Sequence, residues 1–280
     1  MTDFRIRQVP ADFCLQAPVC RLLFAGYGLV KDFENGGATM DLIDKRVVLT
    51  GGASGIGAAV LRRFAAEGAR SVHVADQNQA ALTALISELS PLCDIQAATL
   101  DVTDRAALTK WFNNADAAMG GIDIVINNAG IMSGPITFPE TPIAAMMKVI
   151  DVNLIAMMLG TRLAVELMQA RSIEGVVINT ASVAAFNAMP ADPAYAASKA
   201  GIVNFTQSCA PLAQSHGVRV VAVCPGVTDT AIVPHDAEWL KPALASVRFL
   251  TPDDIVDAMV QVIGETELTA SYVRVDNQRL

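Results

Sequence analysis

From Lys45 onward the chain alternates short β-branched runs with longer segments of helical period, and few architectures accommodate that rhythm. Strands are predicted at 46–50, 71–76, 94–100, 122–127, 175–181, 218–225 and 271–276. Helices are predicted at 56–67, 79–89, 104–119, 143–169, 193–216 and 252–263. A strand–helix–strand unit crosses over right-handed and leaves its strands parallel. Repeated this often, it predicts an α/β fold, a doubly wound parallel sheet of about seven strands in a single domain. A composition of 52% hydrophobic and 17% charged residues suits such a sheet, whose strands are buried on both faces and read as apolar runs. It also leaves apolar helix surface for contacts between copies.

Two segments fall outside the rhythm. Residues 1–40 lack a clear period and end in the linker-like Asn35-Gly36-Gly37, so they are read as an N-terminal extension to a domain over 41–280. Residues 228–250 carry two prolines and no period; the stretch 227–250 is expected to cover a substrate site. A formal net charge of −8 argues against a nucleic-acid partner, which needs a basic stripe. The apolar stretch 152–168 is interrupted by Arg162 and Glu166 and is shorter than the ~20 residues of a membrane span. Asp12 and Arg21 interrupt what would be the apolar part of a signal peptide. Five scattered cysteines (Cys14, Cys20, Cys93, Cys209, Cys224) read as reduced thiols, and a soluble cytoplasmic protein is expected. His73, His216 and His235 lack ligand spacing, so no metal is expected, although His235 lies in the cover.

The run Thr50-Gly51-Gly52-Ala53-Ser54-Gly55-Ile56-Gly57 joins the first strand to the first helix. Small residues there let a diphosphate reach backbone N–H groups at a helix N-terminus. The spacing is GxxxGxG, not GxGxxG, and the Lys-Ser/Thr pair of a phosphate-binding NTPase loop is missing. Asp76 ends the second strand 19 residues after Gly57, near the ~20-residue spacing at which a carboxylate meets the adenosine ribose. It would accept from the 2′- and 3′-hydroxyls and repel a 2′-phosphate. No Arg or Lys adjoins Ser54 or follows Asp76, so NAD is expected over NADP.

Tyr195 and Lys199 stand four apart after Pro193, a residue suited to a first helical turn, so their side chains share one helical face. A free phenol has a pKa of ~10. A nearby ammonium and a positive nicotinamide ring would favour the phenolate, and reaching ~7 needs about 4 kcal/mol. A tyrosine and lysine at this spacing mean little alone. Ser182 ends the fifth strand, Asn127-Asn128-Ala129-Gly130 ends the fourth and Pro225-Gly226 the sixth, all at the edge where the glycine loop lies. Ligands of open α/β sheets bind at that edge. Asn153 sits inside a helix, where asparagine is mildly unfavourable.

With these residues in place the chain resembles the short-chain dehydrogenase/reductase family from about residue 44 to 280. The resemblance rests on the 50–57 run, Asp101, residues 127–130, Asn153, Ser182, Tyr195, Lys199, and Pro225-Gly226 with Thr228 and Thr230. It implies a Rossmann-type fold in which Tyr195 is the general acid/base and Ser182 orients the substrate oxygen. Lys199 would bind the nicotinamide ribose and lower the Tyr195 pKa, and Asn153 would hold a water on the proton path. The implied cofactor contacts are Gly51, Ser54, Gly55, Ile56, Gly57, Asp76, Asp101 and Val102, then Asn128, Ala129 and Gly130, then Pro225, Gly226, Val227, Thr228 and Thr230. Asp101 would meet the adenine, Asn128 the adenosine side, and Val227 and Thr228 the carboxamide. A homodimer or homotetramer built on the helices around 151–170 and 195–215 is implied too; Met157, Met158, Leu159, Leu163 and Leu167 suit that or core packing equally.

The expected reaction interconverts a secondary alcohol and a ketone. Tyr195 takes the hydroxyl proton as the hydride leaves for the nicotinamide. Apolar residues 183–190 and Ala231, Ile232, Val233, Trp239 and Leu240 point to a lipophilic substrate. Two other readings stay open: an NADP-linked biosynthetic ketoreductase, and a cofactor-binding sensor that does no chemistry.

Overall fold

The computed structural model describes residues 41–278, apart from 235, 236, 238, 242–244, 246 and 270. The extension over 1–40, Cys14, Cys20 and His235 therefore lie outside the described residues. Seven parallel strands form one sheet: β1 (Arg46–Thr50), β2 (Ser71–Asp76), β3 (Asp94–Thr99), β4 (Ile124–Asn127), β5 (Gly175–Thr180), β6 (Val218–Pro225) and β7 (Tyr272–Val275), in the order 3-2-1-4-5-6-7. Every predicted strand is present, some shorter by one or two residues. The helices are α1 (Gly55–Ala66), α2 (Gln79–Leu89), α3 (Arg105–Met119), α4 (Ile143–Ile150), α5 (Ala156–Ala170), α6 (Pro193–Ser208), α7 (Leu212–His216) and α8 (Pro252–Gly264).

Alternate strand residues feed two cores. Leu49, Ile126, Ile178 and Val223 pack with Phe64 of α1 and Met259 of α8 on one face. Val48, Val125, Val177 and Val220 pack with Phe112 of α3 and Met168 of α5 on the other. Both sets are fully buried, which is why the strands lack polar alternation. The strand order reverses between β1 and β4, and that reversal opens a crevice beyond their carboxyl ends.

Two predicted helices differ from the structure. The 193–216 helix ends at Ser208, because Pro211 has no N–H to continue it and disfavours helical geometry at Ala210; Pro211 instead caps α7. The 143–169 helix is continuous to Ala170 but contains a π turn, Asp151–Ile155. That 28-residue run, of mean hydropathy 1.7 in its most apolar window, is long and apolar enough to cross a membrane, so it exceeds the 152–168 stretch weighed above. In the fold its inner stripe (Val152, Ala156, Ala164, Met168) lies in the core, while Arg162 and Glu166 pair at 2.7 Å on the outer face.

Candidate active site

The glycine loop is built mainly to meet other backbone. A Cβ on Gly57 would stand 1.9 Å from the Gly51 carbonyl oxygen, and one on Gly51 would stand 2.7 Å from Ala129 Cα. Asn128 secures the same contact by donating from Nδ2 to Gly51 O at 2.9 Å, and Thr50 Oγ1 accepts from the N–H groups of Asn128 and Ala129. Gly51 and Gly57 are thus required by packing. Gly55, at φ +51°, faces the cleft, where its Cβ would meet the Thr230 methyl at 3.0 Å. Ser54, at the N-cap of α1, makes no side-chain cap bond, and this helix end opens onto the cleft. Asp76 accepts from Ala53 N–H (3.0 Å) on one oxygen and Asn78 N–H (2.9 Å) on the other. Each oxygen keeps a lone pair for a further donor.

Across the cleft, Asp192 caps α6 and so fixes the turn that carries Tyr195. The Tyr195 hydroxyl faces the Ser182 hydroxyl. Ser182 Oγ accepts from Ala184 N–H (3.1 Å) and donates to Pro225 O (3.4 Å), which ties it to the strand ends. Lys199 is buried, donates from Nζ to Thr180 O at 2.8 Å, and lies 5.6 Å from the centre of the Tyr195 ring. Burial pushes its ammonium down to about 8. Burial likewise pushes the Tyr195 phenol above its ordinary value; the neighbouring Ser182 hydroxyl pulls it back, and the Asp192 charge raises it further. Asn153 lies in the π turn, where it exchanges two hydrogen bonds with Ile131, from Ile131 N–H to Oδ1 (2.8 Å) and from Nδ2 to Ile131 O (2.9 Å). Its Nδ2 also donates to Ser198 Oγ at 3.1 Å. A wider turn at a functional side chain is a common use of π geometry.

Between these groups lies one cleft of about 630 Å³ that runs from Asp76 and Gln77 past Gly55 to Lys199, Tyr195 and Ser182. Gly55, the uncapped helix end, Asp76 and the open path to Tyr195 fit a nicotinamide dinucleotide. The short chain dehydrogenase family profile matches residues 45–241. The chain belongs to the short-chain dehydrogenases. It is 38% identical over 192 residues to 3beta-hydroxysteroid dehydrogenase 2 of Eggerthella lenta, covering 68% of this chain and 74% of that one. It is 37% identical over 236 residues to galactitol 2-dehydrogenase of Agrobacterium fabrum, covering 77% and 89%. A crystal structure of a short chain dehydrogenase from Burkholderia cenocepacia in complex with NADP superposes with a TM-score of 0.76 at 28% identity, covering 84% and 97%. The protein is thus an oxidoreductase whose family uses a nicotinamide cofactor.

Most residues singled out in the sequence of this short-chain dehydrogenase line the cleft: Gly51, Ser54, Gly55, Ile56, Asp76, Val102, Asn128, Ala129, Gly130, Ser182, Tyr195, Lys199, Pro225, Gly226, Val227, Thr228 and Thr230. Gly57 stands behind the loop, and Asn153 acts through Ile131. Asp101 is exposed beside the cleft wall and turns its carboxylate to Thr103, whose N–H and hydroxyl hold it below its ordinary value. Phe186 does not line the cleft and packs on the Tyr272 ring, with the Arg274 guanidinium 5.2 Å from the centre of the Phe186 ring. Of the five helix residues weighed for an interface, Met157 and Leu163 are core, Leu159 and Leu167 are packed against it, and Met158 is 36% exposed.

Three residues of the dehydrogenase escaped the sequence reading. Asp192 binds Ser133 as well as capping α6. Ser133 is the second. Asn277 grips Val227 from both sides, accepting from its N–H and donating to its carbonyl, each at 2.7 Å, and also donates to Arg248 O. An aspartate before the proline at a helix start was a visible capping signal. Nothing local marks Ser133 or Asn277.

Proposed function

We propose that this protein is an NAD-dependent dehydrogenase that interconverts a lipophilic secondary alcohol and its ketone, with Tyr195 as general acid/base. The observation that carries the reading is the convergence of Tyr195, Ser182 and a buried Lys199 on one cleft, with the Lys199 ammonium 5.6 Å from the centre of the Tyr195 ring. The bound cofactor would supply the hydride acceptor at one face of the substrate carbon. Tyr195 takes the proton from the substrate hydroxyl in oxidation and returns it to the oxygen in reduction. With substrate present, Ser182 Oγ would turn its one proton from Pro225 O to that same oxygen and hold it in reach. Lys199, poised near pH 8, offsets the negative charge of the phenolate, and a water held at Asn153 would carry the proton on to solvent. Bringing Tyr195 down from its raised value needs positive charge, and Lys199 with the oxidised ring provides it.

Asp76 supports NAD, since Lys148 and Lys199 are the only cations lining the cleft among the described residues and neither adjoins Asp76 in sequence. The walls near Tyr195 support a lipophilic substrate: Ile131, Met132, Val183, Met189, Trp239 and Leu240. Exposed Met158, Met147 and Ile143 on α4 and α5 support a homodimer or homotetramer, and the buried free thiols Cys93 and Cys224 support a cytoplasmic location.

The test is a screen of secondary alcohols and ketones read by NADH absorbance, with Tyr195→Phe beside the wild type. The variant should lose roughly 10²–10⁴-fold in turnover and bind NADH as before. Turnover that survives in Tyr195→Phe, or a panel in which nothing reacts with either cofactor, overturns the reading. Tighter binding of NADPH than NADH overturns the part that rests on Asp76.

A further inference from the structure

Capping α6 needs only one side-chain oxygen, and Ser, Thr or Asn supply it without a charge. The residue present is Asp192, whose side chain is 4% exposed, and burying a carboxylate is costly unless its oxygens find donors. Its Oδ1 accepts from Tyr195 N–H (3.0 Å) and from Ser133 Oγ (2.7 Å), and its Oδ2 accepts from Ser133 N–H (2.8 Å). Ser133 lies 59 residues earlier, directly after the cleft-wall residues Ile131 and Met132. Ile131 is itself held by Asn153. Residues 131–133 are thus fixed at both ends, at one by the π turn and at the other by the helix that carries Tyr195. The neighbouring Phe138 N–H to Ala191 O bond (3.0 Å) runs in parallel.

We propose that Asp192 is a positioning residue for substrate, which locks residues 131–133 onto the first turn of α6 so that the apolar wall and Tyr195 keep a fixed separation. The inference rests on the reading of Tyr195 as the acid/base. Its consequence is a division of labour: the cap keeps α6 in place, and the second carboxylate oxygen keeps the substrate wall in place. The charge itself also acts on Tyr195. The groups that face the phenol are Ser182 after β5, Lys199 one turn along α6, Cys224 on β6 beyond Lys199, and Asp192, whose negative charge raises it. Arg274 of β7 and Asp276 just beyond its end act on Cys224 in turn.

Three variants separate these roles. Asp192→Ser still caps α6 and cannot span to Ser133. Ser133→Ala removes one bond of the link and leaves the cap intact, which keeps the test sound where Asp192→Ser fails to fold. Asp192→Asn keeps an acceptor for the cap and removes the charge. Hydrogen exchange of the amides at 131–133 should speed up roughly tenfold in Asp192→Ser and less in Ser133→Ala, with α6 amides unchanged. Absorbance at the phenolate band, taken as the difference from Tyr195→Phe, should show Tyr195 titrating at lower pH in Asp192→Asn. With an alcohol found in the screen, Asp192→Ser should raise KM about tenfold while kcat at its pH-independent plateau stays within about twofold, and adding Ser133→Ala should change little more. Unchanged exchange at 131–133, or additive KM effects, overturns the proposal. The first two readouts need no turnover, so they stand or fall apart from the alcohol reading.

Discussion

On the cofactor side of the cleft, backbone lies directly on backbone: α1 sits on the Gly51 carbonyl, and the loop sits on Ala129. On the other side, around Tyr195 and the end of β6, single side chains span long sequence separations to hold loops in place, Asp192 to Ser133 and Asn277 to Val227. The first arrangement has no tolerance for an added atom and no adjustable part. The second can be loosened one hydrogen bond at a time while the fold survives.

That contrast is open to direct attack. Gly57→Ala should be the most damaging change, since the new methyl cannot avoid the Gly51 carbonyl; about 3 kcal/mol of stability and the NADH site should be lost together, by urea melt and NADH titration. A well-folded Gly57→Ala that binds NADH would break the comparison.

Lys199→Met comes next and has the opposite sign for stability. The Lys199 ammonium is pushed down from 10.5 to about 8 by burial. Below pH 8 both folded and unfolded chains hold the proton, and the cost of burying the charge is complete. Between 8 and 10.5 only the unfolded chain holds it, so the cost declines as pH rises. After allowance for the lost bond to Thr180, Lys199→Met should stabilise by about 2 kcal/mol near neutrality, an advantage that vanishes toward pH ~10, while turnover collapses.

Asn277→Ala should have the smallest effect on the whole molecule. It removes three hydrogen bonds from the Val227–Arg248 junction, and about 1 kcal/mol should appear as weaker NADH binding with the melting temperature almost unmoved. A fall in melting temperature as large as that for Gly57→Ala would erase the distinction between the two sides.

The same contrast explains what could be read in advance. The glycine loop, Asp76 and the strands are local patterns, so their places followed from spacing, and packing alone already requires Gly51 and Gly57. Tyr195, Lys199 and Ser182 became informative because the strand ends bring them together. Ser133 and Asn277 carry no local signature, because their partners stand 59 and 50 residues away. The end of α6 was visible in Pro211, whereas the π turn was not, since its apolar residues keep the spacing of an ordinary helix.

That turn makes the site sensitive to arithmetic. An α-helix advances about 100° per residue, so one residue more or fewer in the run from α4 to α5 re-phases everything on one side of it against the other. Asn153 reaches Ile131 because the count of residues is right, and a substitution scan, which never alters that count, would pass over the constraint entirely. Length, at this one place, is as much a part of the active site as any side chain.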